Sequence, residues 1–269
     1  MDLGLKGRTA LITGGSKGIG RAIGRGLARE GVNLVLLARG KELLEKTAEE
    51  IRKDTGVKVL ATVADITKAD QVDASAAAAK EAFGTVHIVV NNAGGPMRRM
   101  DRQILWPDSD WLGDLDNKIL GALRVIRAFL PLMPGDGTGR IVNISGTAST
   151  IVWAPALTHA LNNAAMNQAT GYLATDLASQ QITVNTVVPG LVGTEGRDVW
   201  AENTAKQQNV TKDAFVASFC KRMGILAGRW ATMDEVSDTV VFLASDRARY
   251  FNGSKIILDG GLNVNARPA

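Results

Sequence analysis

Strand-sized and helix-sized segments alternate along this chain, and that alternation constrains the fold more than any other feature. Segments 8–13 (RTALIT), 33–38 (NLVLLA), 57–63, 86–90, 140–145, 182–188 and 255–258 are short and rich in apolar or β-branched residues. Between them, 19–30, 41–53, 67–83, 111–130, 157–179 and 234–244 read as helices. In 41–53, Leu43, Leu44 and Ile51 fall on the expected buried side, and Pro131 ends the helix 111–130. Parallel strands covered on both faces are apolar throughout and need a crossover helix between them. The pattern therefore predicts an α/β chain: a single Rossmann-type doubly wound domain over 1–269, with about seven parallel strands and helices on both faces. Segment 191–228 reads as a long irregular stretch with a few helical turns.

Several function classes are set aside by composition. Hydrophobic residues make up 45% and charged residues 22% of the 269, enough to bury a substantial core. The longest apolar runs, such as 35–38 and 88–90, fall far short of the ~20 residues of a membrane span. The opening MDLGLKG has no apolar h-region, so a cytoplasmic protein is expected. Cys220 is the single cysteine, and His87 and His159 are far apart in sequence, so neither a disulfide framework nor a metal site is expected. The net charge is +4, but Lys17, Arg39, Arg98, Arg99, Arg124 and Arg127 form no basic stripe, which argues against nucleic acid. A mildly basic chain also suits an anionic cofactor or substrate.

Residues 13–20 read TGGSKGIG at the junction of the first strand and first helix. Glycines there let backbone amides approach a pyrophosphate, and the helix N-terminus favours its charge. A tight strand-to-helix turn is the plainer alternative. NNAG at 91–94 follows the fourth strand and Pro189–Gly190 the sixth, so all three segments are expected outside the carboxyl ends of the strands. In these motifs the chain resembles the short-chain dehydrogenase/reductase family. Its end, from Gly228-Arg229-Trp230 through FLAS to LDGG, resembles the 3-oxoacyl-[acyl-carrier-protein] reductase branch.

The resemblance implies a dinucleotide held by Gly14, Ser16, Lys17, Gly18, Ile19, Gly20, Gly94, Pro189 and Gly190. It also implies Asp65 at the adenine, Asn91 and Ala93 on the adenosine side, and Thr194 at the nicotinamide carboxamide. NADP(H) is favoured over NAD(H) on physical grounds. The second strand ends at Ala38 and Arg39, with no carboxylate to repel a 2′-phosphate. Arg39 offers a planar donor fork and Lys17 a second cation, unless both are ordinary solvated cations.

The catalytic motif of the family is missing. The family expects a tyrosine four residues before a lysine, a serine thirteen residues before the tyrosine, and an asparagine on an earlier helix. Tyr172 and Tyr250 are followed at that spacing by Asp176 and Ser254. Aligned on its flanks, the chain places His159, Asn163, Gly146 and Lys118 at the tyrosine, lysine, serine and asparagine positions, with Ser145, Thr147 and Asn117 adjacent. Histidine can transfer protons near neutral pH. His159 is thus the candidate acid, Lys118 the charge missing at Asn163, and Ser145 or Thr147 the substrate-orienting hydroxyl. The competing reading is a drifted centre in which His159 only fills the cleft.

The function expected is an NADP(H)-dependent oxidoreductase interconverting a carbonyl and a secondary alcohol on a small molecule. The alternative is a non-catalytic NADP(H)-binding paralogue acting through a partner or oligomer. By resemblance, 191–228 forms the substrate lid, and helices 111–130 and 157–179 form the faces of a homo-oligomer, dimer or tetramer. Trp106, Trp111, Trp153 and Trp200 are candidate pocket walls, with core packing as the default. His87 is expected as a packed strand residue and Cys220 as partly buried.

Overall fold

Alternate residues of the strands feed two different hydrophobic cores, and this two-sided burial organises the molecule. The computed structural model describes residues 2–94, 102–153 and 156–264; Arg98 and Arg99 lie outside the described residues. The strands are β1 (Thr9–Thr13), β2 (Asn33–Ala38), β3 (Val59–Val63), β4 (Ile88–Asn91), β5 (Arg140–Ile144), β6 (Thr183–Pro189) and β7 (Lys255–Leu258). They form one parallel sheet in the order β3-β2-β1-β4-β5-β6-β7, as the alternation predicts.

In β1, Ala10 and Ile12 point to a core completed by α1 (Gly18–Arg29), α2 (Lys41–Thr55) and α9 (Met233–Ala244). Leu11 points to the other core, which α3 (Ala69–Phe83), α5 (Gly121–Phe129) and the end of α6 (Leu157–Asp176) complete. That is the period-2 geometry of a strand with both faces buried. Among the described residues no helix is long and apolar enough to cross a membrane.

Four expectations need correction. Leu44 and Ile51 are buried, but Leu43 is 41% exposed, because the buried stripe of α2 runs through Leu44, Thr47, Ala48 and Ile51. The helix expected over 111–130 starts earlier, as α4 (Asp108–Leu115), and reaches α5 through a π turn at Asp116–Leu120. Pro131 lies in a closing 3₁₀ turn.

The stretch 191–228 is not irregular either. It holds α7 (Glu195–Gln207) and α8 (Lys212–Met223), the latter capped by Thr211, whose hydroxyl accepts from the Ala214 amide, and closed by left-handed Gly224. These helices build a third cluster from Ala201, Ala205, Phe215, Cys220, Ile225, Trp230 and Leu262. Cys220 is wholly rather than partly buried.

The site lies at the carboxyl end of the sheet, and Thr13 ties its pieces together. Its hydroxyl donates to the Val90 carbonyl at 3.3 Å and accepts from the amides of Asn92 and Ala93, each at 3.0 Å. Thr13→Val keeps the shape but leaves the Ala93 amide without its partner and takes one of two from the Asn92 amide, which also donates to the Val90 carbonyl at 3.1 Å, a loss of about 1–3 kcal/mol. Urea denaturation should show that loss in Thr13→Val and its recovery in Thr13→Ser.

Candidate active site

The loop between β1 and α1 is built for close approach. Gly14 is left-handed (φ +68), and a side chain there would come within 2.9 Å of the Asn92 amide. A side chain at Gly20 would fall on the Gly14 carbonyl and 2.6 Å from the same amide. Gly18 is left-handed as well (φ +57), but the nearest atom to a side chain there is a Glu195 carboxylate oxygen at 3.8 Å, so the space above it is open.

Lys17, at the N-cap of α1, makes no side-chain cap, which leaves the first amides of the helix facing this cradle. Ser16 is held from behind, its carbonyl accepting from the Thr47 hydroxyl at 2.8 Å. Open space, glycines and an uncapped helix start fit a pyrophosphate. At the rim Arg39 is 69% exposed on its side chain and stands 3.9 Å from an Asp65 oxygen. Burial pushes the Asp65 carboxyl up, but hydrogen bonds from the Thr67 amide and hydroxyl and the Arg39 charge outweigh it and hold it low.

Next to this loop opens a cavity of about 430 Å³. Ile19, Gly94, Pro189, Gly190 and Thr194 reach it from the cofactor side, and Lys118, Ser145, Thr147 and His159 from the other. Gly190 must be glycine, since a side chain would sit 2.9 Å from the Asp259 backbone. Thr194 starts α7 without capping it through its side chain. Glu195, next in line, is ion-paired to Arg21, which ties α7 to α1.

Lys118 comes from the π turn. Its Nζ donates to the Ile144 carbonyl at 2.6 Å and lies 3.3 Å from where a side chain at Gly94 would begin. Burial pushes this amine down to about 8. His159 is in the first turns of α6, its Nε2 3.7 Å from the corresponding point on Gly146. Burial, then the charges of Lys118 and Arg197, push the imidazole down to about 4 against the opposing pull of Asp114. His159 is therefore neutral at pH 7.

Not every expected residue reaches the cavity. Asn163 is wholly buried beneath Gly146, outside the cavity lining, and neither amide atom has a partner among the described residues. Asn91 is turned inward, 3% exposed, with its amide donating to Asn143. Asn143 in turn donates to Thr170, whose hydroxyl meets that of Thr186. Ser145 lines the cavity but gives its hydroxyl proton to Asn167 at 2.7 Å. Trp153 lines the cavity, whereas Trp106 is buried and Trp200 of α7 packs against Phe215, Phe219 and Trp230. His87 is a packed residue, accepting from the Thr9 amide.

The residues that sequence reasoning missed are Asn92, Asp114, Asn162 and Arg197, all cavity-lining. Asn92 stood beside Asn91 in the same motif. Arg197 carried no signal, because the segment holding it was not read as a helix.

A family model described as "Enoyl-(Acyl carrier protein) reductase" matches residues 14–263. The chain is 38% identical over 258 residues to Oxidoreductase UcpA of Escherichia coli (strain K12), covering 96% of this chain and 95% of the relative. It superposes on L-sorbose reductase from Gluconobacter frateurii, solved with NADPH and L-sorbose, with a TM-score of 0.91 and 30% identity over 98% and 99% of the two chains. An NADPH-bound short chain oxidoreductase from Pseudomonas aeruginosa, described as containing an atypical catalytic center, superposes with a TM-score of 0.86 and 28% identity over 97% and 98%. Sheet order, glycine loop and matched length agree: the chain belongs to the short-chain dehydrogenase/reductase family and is an oxidoreductase.

Proposed function

We propose that this protein interconverts a carbonyl and a secondary alcohol with NADP(H), on a small molecule seated in the 430 Å³ cavity. One observation carries the reading: the Lys118 amine and the His159 imidazole meet in a cavity that opens onto the dinucleotide cradle. The cradle of Gly14, Ser16, Gly18, Ile19 and Gly20 would hold the pyrophosphate, Arg39 and Lys17 the 2′-phosphate, and Thr194 the nicotinamide amide. When bound, the dinucleotide supplies the hydride. The protein's residues polarise the carbonyl oxygen and manage its proton.

His159, neutral at pH 7, hydrogen-bonds the carbonyl oxygen, as a neutral imidazole can without itself ionising. Lys118, with its pKa near 8, is mostly ammonium at pH 7. It stabilises the developing alkoxide and returns the proton, as a positioned acid does best when its pKa lies close to the working pH. The whole of 1–269 acts as one dinucleotide-binding and catalytic domain, with 191–228 as its lid. The setting is cytoplasmic, and the partners are a small molecule and further copies of the chain rather than nucleic acid or membrane.

Reduction should be flat from about pH 5.5 to 7.5 and fall above pH 8 as Lys118 loses its proton. Histidine acid catalysis would instead put the fall at or below the ordinary imidazole value, near 6.5. His159→Ala and Lys118→Met should each lose about 10²-fold or more in turnover, with NADPH affinity retained. A profile unchanged in Lys118→Met contradicts the assignment.

Arg39 is only loosely paired, and an exposed ion pair of this kind is worth about 0–1 kcal/mol, so it can turn to a phosphate at little cost. NADPH should bind at least about tenfold more tightly than NADH, and Arg39→Ala should remove most of that preference in a fluorescence titration.

Leu112, Leu115 and Leu120 on the α4–π segment and Leu157 and Leu161 on α6 are exposed apolar residues, which supports a homo-oligomer formed through these helices. Light scattering should give two or four times the chain mass.

A further inference from the structure

The cavity carries a charge that proton transfer does not need. Arg197, in the first turn of α7, lines it together with Lys118 and His159, and Asp114 is the single acid lining it among the described residues. The guanidinium lies over the Trp230 ring, 5.5 Å from its centroid. Among the described residues it has no carboxylate partner. The acids beside it in α7 are already engaged, Glu195 by Arg21, and Asp198 and Glu202 by Lys212. Glu235 is taken by Arg229.

A partly buried guanidinium without a counter-charge is costly, and burial holds this one below its ordinary value. Its place over the Trp230 ring holds the guanidinium at the cavity, and its N–H donors suit a flat, bidentate acceptor.

We propose that the substrate is a carbonyl compound bearing a carboxylate, and that Arg197 holds the carboxylate while Lys118 and His159 face the carbonyl. This deepens the carbonyl–alcohol reading and rests on it for the second half. The oxyanions of the dinucleotide are the other source for such a contact, so the test separates the two.

Pyruvate, acetoacetate and levulinate, each beside its methyl ester, are titrated calorimetrically into the full-length protein saturated with NADP+, where no reduction can occur. At least one acid should bind at least about tenfold more tightly than its ester. Arg197→Met should cut that ratio about tenfold, Arg197→Lys should keep part of it, and NADP+ affinity should stay within about threefold in both. In turnover, the acid-to-ester ratio of kcat/KM should fall in Arg197→Met, mostly through KM.

Equal binding of acid and ester in all three pairs overturns the proposal, as does an Arg197→Met variant that loses NADP+ affinity instead. Carboxylate binding without any NADPH-dependent turnover upholds the Arg197 site and overturns the reduction reading. Turnover of neutral ketones with no preference for the acids does the reverse.

Discussion

A chain of buried hydrogen bonds holds α6 against the sheet, and the site depends on it. Asn91 of β4 donates to Asn143 of β5, Asn143 to Thr170 of α6, and Thr170 meets Thr186 of β6. A parallel link runs from Ser145 through Asn167 to Ser149. The inward face of α6 is thus largely amide and hydroxyl: Thr158, Asn162, Asn163, Asn167 and Thr170, with Met166 and Ala174 as its apolar members. A buried polar network with its bonds made is directional, whereas an apolar seam can slide. Direction matters here because the same helix carries His159, whose ring must stay over Gly146.

The electrostatics follow from crowding three basic groups into one recess. Lys118, His159 and Arg197 share the cavity with Asp114. The weakest base gives way: burial and its two cationic neighbours keep the imidazole neutral, while the amine and guanidinium keep their charge at pH 7. The cavity sets an imidazole from α6 beside an ammonium from the π turn, and in the proposed function this pair does the work of the family's tyrosine and lysine. Asn163, at the position of the family's lysine, has become interior packing beneath Gly146.

Much of this was legible in the sequence, and the exceptions have physical reasons. Strands such as 33–38 and 255–258 were read to the residue, because apolar runs between turns admit little else. Helices α7 and α8 are not legible in the sequence, since α7 buries only Ala201 and Ala205 and exposes Val199 and Trp200, leaving no apolar stripe at helical spacing. Leu43 was misplaced by one position on a helix whose stripe includes a threonine. The cofactor loop was legible because its glycines answer to backbone geometry alone. Which of two neighbouring asparagines faces the cavity depends on the strand's pleat, and the motif does not carry that information. Arg197 was out of reach because its importance lies in which acids its neighbours have already taken.

The π turn at Asp116–Leu120 accommodates one residue more than a regular helix would over the same span. Removing a single residue there would restore an even winding while leaving α4 and α5 in nearly the same phase. Only the side chains of the turn itself would be re-aimed, among them Lys118, which reaches the Ile144 carbonyl from it, and the exposed leucines at 112 and 115 would keep their face. One short insertion thus decides where the amine of the cavity points while leaving the outer face of α4 as it was. A single codon could change that placement, with every strand of the sheet left where it was.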